Sequence, residues 1–115
     1  QGTIKLITLA PEVHGDEELK TICEWARNKK IKLSIGHTRC TKKQAENAFS
    51  LGFTNVTHAW NAMNVHHREP GVLGAALGRN KTYIELIIDG IHVDDAVIGW
   101  TLKNHKNTVF VSDAA

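Results

Sequence analysis

The chain is predicted to be an α/β protein with a parallel sheet, part of a (β/α)8 barrel, and three observations predict it. Five strand-like runs alternate with helical or loop segments, a period that implies right-handed βαβ crossovers. Runs such as Leu86-Ile87-Ile88 and Val109-Phe110-Val111 are apolar on successive residues, as expected of strands buried on both faces. His37, His58, His92 and Asp113 each fall at or just past the end of such a run, and parallel strands bring all those ends to one face. No G-x-G-x-x-G or G-x-x-x-x-G-K-S/T follows any run, so dinucleotide and P-loop chemistry are not supported. Half or more of a (β/α)8 barrel fits better than a complete doubly wound domain.

The first strand is expected over residues 4–9, leading into a Pro/Gly-punctuated loop, Ala10-Pro11-Glu12-Val13-His14-Gly15. Asp16 is expected to cap a helix to about residue 29, with Leu19, Ile22, Cys23 and Ala26 on its inner face. The second strand ends at Gly36-His37. Thr41-Lys42-Lys43-Gln44 is a capping-box pattern opening a second helix, buried through Ala45, Ala48 and Phe49 and stopped by Gly52. The third strand, over 53–57, ends at Thr57-His58. A long connection follows to about Lys81, with a small-residue stretch at 71–77 suited to a short helix; connections of this length are usually functional. The fourth strand reaches Asp89-Gly90-Ile91-His92. Asp94 is expected to cap a helix to about Asn104 that turns Val97, Ile98, Thr101 and Leu102 inward, and a fifth strand over 107–112 ends at Asp113.

Bulk properties narrow the class of function. Of the 115 residues, 42% are hydrophobic and 23% charged, the balance of a folded soluble domain. A formal charge of +2 is too small for a nucleic-acid surface, and no apolar run is long enough for a membrane-spanning helix. Cys23 and Cys40 lack C-x-x-C spacing and are expected to be reduced thiols in a cytoplasmic enzyme. The chain starts with Gln1 and stops just after a strand, so residues 1–115 are expected to be a single partial barrel domain, truncated at both ends.

His37 and His58 are candidate metal ligands, because neutral imidazoles on neighbouring strand ends suit zinc or another borderline divalent ion. The alternative for each is a hydrogen-bonded structural histidine. Asp113 is a candidate general base, the alternative being a helix cap. His92 could polarise a substrate carbonyl, Asp89 brace its loop, and Arg68 act as an anion clamp or a solvated loop residue. His14, His66, His67 and His105 are expected at the surface.

Six segments in register carry a resemblance: Leu9-Ala10-Pro11-Glu12, Gly36-His37-Thr38, Thr57-His58-Ala59-Trp60-Asn61-Ala62-Met63, His67-Arg68-Glu69-Pro70-Gly71, Asp89-Gly90-Ile91-His92-Val93 and Val111-Ser112-Asp113-Ala114. Together they resemble the N-acetylglucosamine-6-phosphate deacetylases of the amidohydrolase superfamily. The resemblance implies a metal-dependent amide hydrolase whose fourth to eighth barrel strands are these five. It implies metal ligation by His37 and His58, an acid/base role for Asp113, and substrate contacts from Asn61, Ala62, Arg68 and His92. It further implies a divalent ion, zinc first with iron or another as alternatives, an amino-sugar phosphate substrate, and a homodimer in which the arginine acts across the subunit contact. Glu12 falls in a different motif from the family's metal-binding glutamate and is not assigned to the metal. The first three strands and that glutamate are missing, so the isolated chain is expected to be inactive. Another amidohydrolase-superfamily hydrolase or deaminase, or a non-catalytic barrel remnant, stands as the alternative.

Overall fold

A computed structural model describes residues 3–112 of the chain. β1 (Leu6–Leu9), β2 (Lys32–Ile35), β3 (Asn55–Val56), β4 (Tyr83–Ile87) and β5 (Thr108–Val111) form one sheet in sequence order, each neighbouring pair parallel. α1 (Asp16–Lys29), α2 (Lys42–Leu51), the short α3 (Gly71–Ala76) and α4 (Asp95–Asn104) lie in the connections. Sequential order with parallel pairing requires a crossover connection between each pair of neighbouring strands.

Alternation along the strands divides the sheet into two chemically different faces. Leu33, Ile35, Val56, Ile84 and Leu86 are at most 2% exposed and share one core with Leu19 and Cys23 of α1, Ala45 and Phe49 of α2 and Leu73 of α3. Each large aliphatic side chain removed from water in this way contributes about 1.5–3 kcal/mol. The residues between them carry polar groups. Thr57 Oγ1 stands 2.7 Å from both Thr8 Oγ1 and Ser34 Oγ, linking three strands through hydroxyls. Ser34 is fully buried, so that hydrogen bond satisfies a group that would otherwise be costly to bury.

The caps follow the sequence closely at α2 and α4. Thr41 Oγ1 accepts from the Gln44 amide at 3.0 Å while Gln44 Oε1 accepts from the Thr41 amide at 2.8 Å, a complete capping box. Asp94 Oδ1 accepts from the Ala96 amide at 2.8 Å. At α1 the expectation is corrected: Gly15 occupies the cap and Asp16 is already helical, joining Glu17 and Glu18 as negative charge in the first turn.

Four further expectations change. The third strand narrows to Asn55–Val56, although the Thr54 and Thr57 amides still bond the Leu33 and Ile35 carbonyls. Ile88, Val109 and Phe110 are not buried, being 49%, 41% and 55% exposed, because Ile88 lies beyond β4 and β5 is paired on one side only. Leu102 faces solvent while Thr101 turns inward. His105 is buried rather than superficial: its Nε2 donates to the Thr82 carbonyl at 2.7 Å and its Nδ1 accepts from the Gly78 amide at 3.1 Å, tying α4 to the turn before β4.

The long connection is ordered by specific devices. Thr38 and Met63 form an isolated parallel bridge, and Trp60 Nε1 donates to Thr101 Oγ1 at 2.9 Å. Gly71 has φ +65, and an added Cβ would sit 2.6 Å from the Asn64 carbonyl oxygen, so glycine is required there. Cys23 and Cys40 are buried free thiols, and burial pushes both thiol pKa values up. Among the described residues no helix is long and apolar enough to cross a membrane.

Candidate active site

His37 and His58 lie two residues beyond β2 and β3, at the same end of adjacent parallel strands. Their Nε2 atoms are 2.9 Å apart and their rings meet edge to face, with centroids 4.5 Å apart and planes at 83°. Two ligands in cis positions on an ion with metal–nitrogen bonds of about 2.0–2.1 Å stand roughly 3.0–3.3 Å apart, so the pair fits a shared divalent ion. Without one, a single proton between the rings joins them as donor and acceptor. The Nδ1 atom of His58 is buried with no hydrogen-bond partner among the described residues. No group of three His, Cys, Asp or Glu side chains gathers as a ligand set among the described residues, so the pair is a partial set.

The backbone here is strained. His37 has φ 48 and His58 φ 28, and Trp60 and Ala62 follow at φ 78 and 52. Lys30, at the end of α1, is the other non-glycine residue with positive φ among the described residues. Each such residue costs on the order of 1–3 kcal/mol and persists where its surroundings over-determine it, commonly at functional sites. The surroundings do so. Gly36 is wedged between strands, where an added Cβ would meet Thr8 Cγ2 at 2.7 Å and Thr57 Cβ at 2.8 Å. The His58 amide lies 3.3 Å from Glu85 Oε1, and the Ala59 amide donates to the Glu85 carbonyl at 2.8 Å. Asn61 Nδ2 donates to the His58 and Ala59 carbonyls at 3.2 Å each, stapling the same turn.

A cavity of about 430 Å³ opens beside this turn, lined by His37, Thr38, Arg39, Ala62, Met63 and Asn64. Of the residues expected at a site, His37 and Ala62 therefore share a wall. His58, Asn61, Arg68 and His92 are outside that lining; the Asn61 side-chain amide is engaged by the turn and Arg68 sits in an exposed loop. The Arg68 amide donates to His66 Nδ1 at 3.1 Å, and the His66 and His67 rings lie 4.1 Å apart.

His92 is held by Asp89, as the sequence suggests of a brace. Asp89 Oδ1 accepts from the Ile91 and His92 amides at 2.8 and 3.0 Å, and its Oδ2 is 2.7 Å from His92 Nδ1. These backbone amides first, then the imidazole, lower the Asp89 pKa to about 2. Asp113 lies outside the described residues.

Glu12, Arg39 and Glu85 join this region without having been singled out for it by the sequence. Glu85 carried a signal, as one charge in an otherwise apolar strand, Tyr83–Ile87. Arg39 carried only its nearness to His37. Burial alone would raise the Glu12 carboxyl, but hydrogen bonds from Thr38 and the Arg39 amide outweigh it and hold its pKa below the usual carboxylate range.

No family model matches the chain. It is 36% identical over 116 residues to the N-acetylglucosamine-6-phosphate deacetylase of Bacillus subtilis, covering 98% of this chain and 28% of that protein. It is also 36% identical over 99 residues to the N-acetylgalactosamine-6-phosphate deacetylase of Escherichia coli O157:H7, covering 85% of this chain and 26% of that protein. The crystal structure of N-acetyl-D-glucosamine-6-phosphate deacetylase from Mycobacterium smegmatis matches with a TM-score of 0.90 at 32% identity, over 99% of this chain and 33% of that one. A mutant of that enzyme in complex with N-acetyl-D-glucosamine-6-phosphate matches at 0.89 and 30% identity, over 98% of this chain and 30% of that one. The chain is thus a relative of the N-acetylglucosamine-6-phosphate deacetylases in sequence and fold, and spans a little over a quarter of the length of the curated relatives it matches.

Proposed function

We propose that the chain forms part of the active site of a metal-dependent enzyme that hydrolyses N-acetylglucosamine 6-phosphate to glucosamine 6-phosphate and acetate. The observation that carries this reading is the His37–His58 pair, with Nε2 atoms 2.9 Å apart, in a chain related to these deacetylases throughout its length. In this reading the five strands are the fourth to eighth of a (β/α)8 barrel, residues 1–115 are one partial domain of it, and the enzyme is a cytoplasmic homodimer.

His37 and His58 would hold a divalent ion through Nε2, with zinc first and iron or another ion as alternatives; a carboxylate from elsewhere in the enzyme completes the ligands. Such an ion supplies Lewis acidity and water activated near neutral pH. Asp113 accepts the proton of the attacking water and returns it to the amine nitrogen as the C–N bond breaks, so acetate and the free amine leave together. His92, steadied by Asp89, donates to the carbonyl oxygen as it gains charge; a donor so placed contributes about 3 kcal/mol. Ala62 and Asn61 approach the sugar phosphate, and Arg68 pairs with it across the subunit contact. The isolated chain, holding two nitrogens of the ligand set, is expected to bind metal weakly and turn over little.

N-acetylgalactosamine 6-phosphate is the second reading, favoured by the name of the Escherichia coli relative. The two sugars differ only in configuration at C4, so the ratio of turnover on the pair decides between them. A panel with and without the 6-phosphate separates both from other amidohydrolase chemistry.

Residues 1–115, grafted in place of the matching stretch of a full-length relative, give a protein in which Asp113→Asn can be tested. Acetate release is expected to fall at least about a hundredfold, the scale of a lost general acid/base, with metal content unchanged. Near-parental turnover would reject the role assigned to Asp113.

A further inference from the structure

Glu12 is a half-buried carboxylate in the 3₁₀ turn Pro11–Val13 after β1, and the chemistry above makes no use of it. Its Oε1 accepts from Thr38 Oγ1 at 2.5 Å and its Oε2 from the Arg39 amide at 2.7 Å. Thr38 is 2% exposed, and its hydroxyl oxygen in turn accepts from the Cys40 amide at 3.0 Å. The Thr38 amide donates to the Ala62 carbonyl at 3.0 Å. One carboxylate thereby fixes the two residues that follow His37 and, through Thr38, their junction with the turn that follows His58.

We infer that Glu12 is a positioning residue of the histidine pair: its two-oxygen grip on Thr38 and Arg39 holds His37 in the orientation that brings its Nε2 to that of His58. His37 needs such a grip. Its φ of 48 is unfavourable for a side-chain-bearing residue, so the chain must be held on both sides of it. Gly36, packed against Thr8 and Thr57, holds the near side, and Glu12 holds the far side. Releasing the far side lets the backbone relax to negative φ and swings the imidazole away from its partner. The extension to metal affinity rests on the reading of His37 and His58 as ligands; the ring contact itself does not.

A built-in control exists. Glu69 makes a comparable cap, its Oε2 accepting from the Lys42 amide at 2.7 Å and the Gly71 amide at 3.2 Å, yet it grips no residue next to either histidine. A merely structural role would make Glu12→Ala and Glu69→Ala alike.

The test uses the 115-residue chain and two readouts. In the metal-free chain, the imidazole ¹⁵N signals of His37 and His58 report their shared hydrogen bond. Glu12→Ala is expected to move the His58 Nε2 signal to its position in His37→Ala, Glu12→Gln to move it part of the way, and Glu69→Ala to leave it in place. With Zn(II) added, Glu12→Ala is expected to weaken binding about tenfold, the scale seen for residues that orient ligands, while Glu69→Ala leaves it unchanged. Unmoved ring signals in folded Glu12→Ala and Glu12→Gln, or equal effects from Glu69→Ala, overturn the inference. Zn(II) binding by a full-length relative carrying residues 1–115 in place of its own matching stretch that is no stronger than by its His37→Ala/His58→Ala double variant overturns the ligand reading, and the ring signals alone then decide the role of Glu12.

Discussion

Three carboxylates around this site act mainly on backbone amides rather than on cations. Glu12 takes the amide of Arg39, Glu69 those of Lys42 and Gly71, and Asp89 those of Ile91 and His92. The bonds from Glu12, and that from Glu69 to Lys42, were not legible as such, because they span 26 and 27 residues and depend on how the strands align. A local contact is where the sequence reading holds: Asp89, expected to brace its loop, does so through the Ile91 and His92 amides. Its depressed pKa makes a pH prediction. The folded value is about 2 against an ordinary 3.8, so the clamp is complete above about pH 4 and is lost as pH falls through about 2. Amide signals of Ile91 and His92 should titrate with that midpoint, and Asp89→Asn should abolish the dependence. Amides that stay constant down to pH 2 would contradict the clamp. The pairing of His37 with His58 was legible from strand-end placement; the burial of His105 was not, since its partners at Gly78 and Thr82 lie across the fold.

At the scale of elements, patterns that encode their own hydrogen bonds were the legible ones. Thr41-x-x-Gln44 and Asp94 form the caps their sequences specify, whereas Asp16 does not, because the preceding Gly15 takes the extended cap position. The apolar runs gave the strands but overstated the burial of β5, since periodicity cannot reveal which strand lies at an edge. The junction of β1, β2 and β3 is where local sequence and site geometry meet. Gly36 leaves room for the Thr8 and Thr57 side chains just before His37, and the hydroxyls of those threonines bond each other and Ser34. Gly36→Ala should therefore destabilise the chain by about 1–3 kcal/mol, the usual cost of overpacking. Urea denaturation measures it. A loss under about 0.5 kcal/mol would show that the neighbouring threonines yield freely, as an ordinary surface position does.

On the scale of the whole molecule, a sheet that is apolar toward its helices and carries the Thr8–Ser34–Thr57 hydroxyls and Glu85 on its other face brings His37 and His58 to one end of the strands. The alternation of strand-like and helical segments makes this architecture legible in the sequence alone. The partial ligand set and the one-sided pairing of β1 and β5 mark what the described residues do not supply by themselves. The proposed deacetylation is therefore tested in a chimera with a full-length relative. The most direct measurement is acetate release from N-acetylglucosamine 6-phosphate by a full-length relative carrying residues 1–115 in place of its own matching stretch. Chelator-sensitive turnover is expected from this chimera, falling at least about a hundredfold on His37→Asn or His58→Asn. A folded chimera that turns over equally well with either histidine replaced would contradict the assignment.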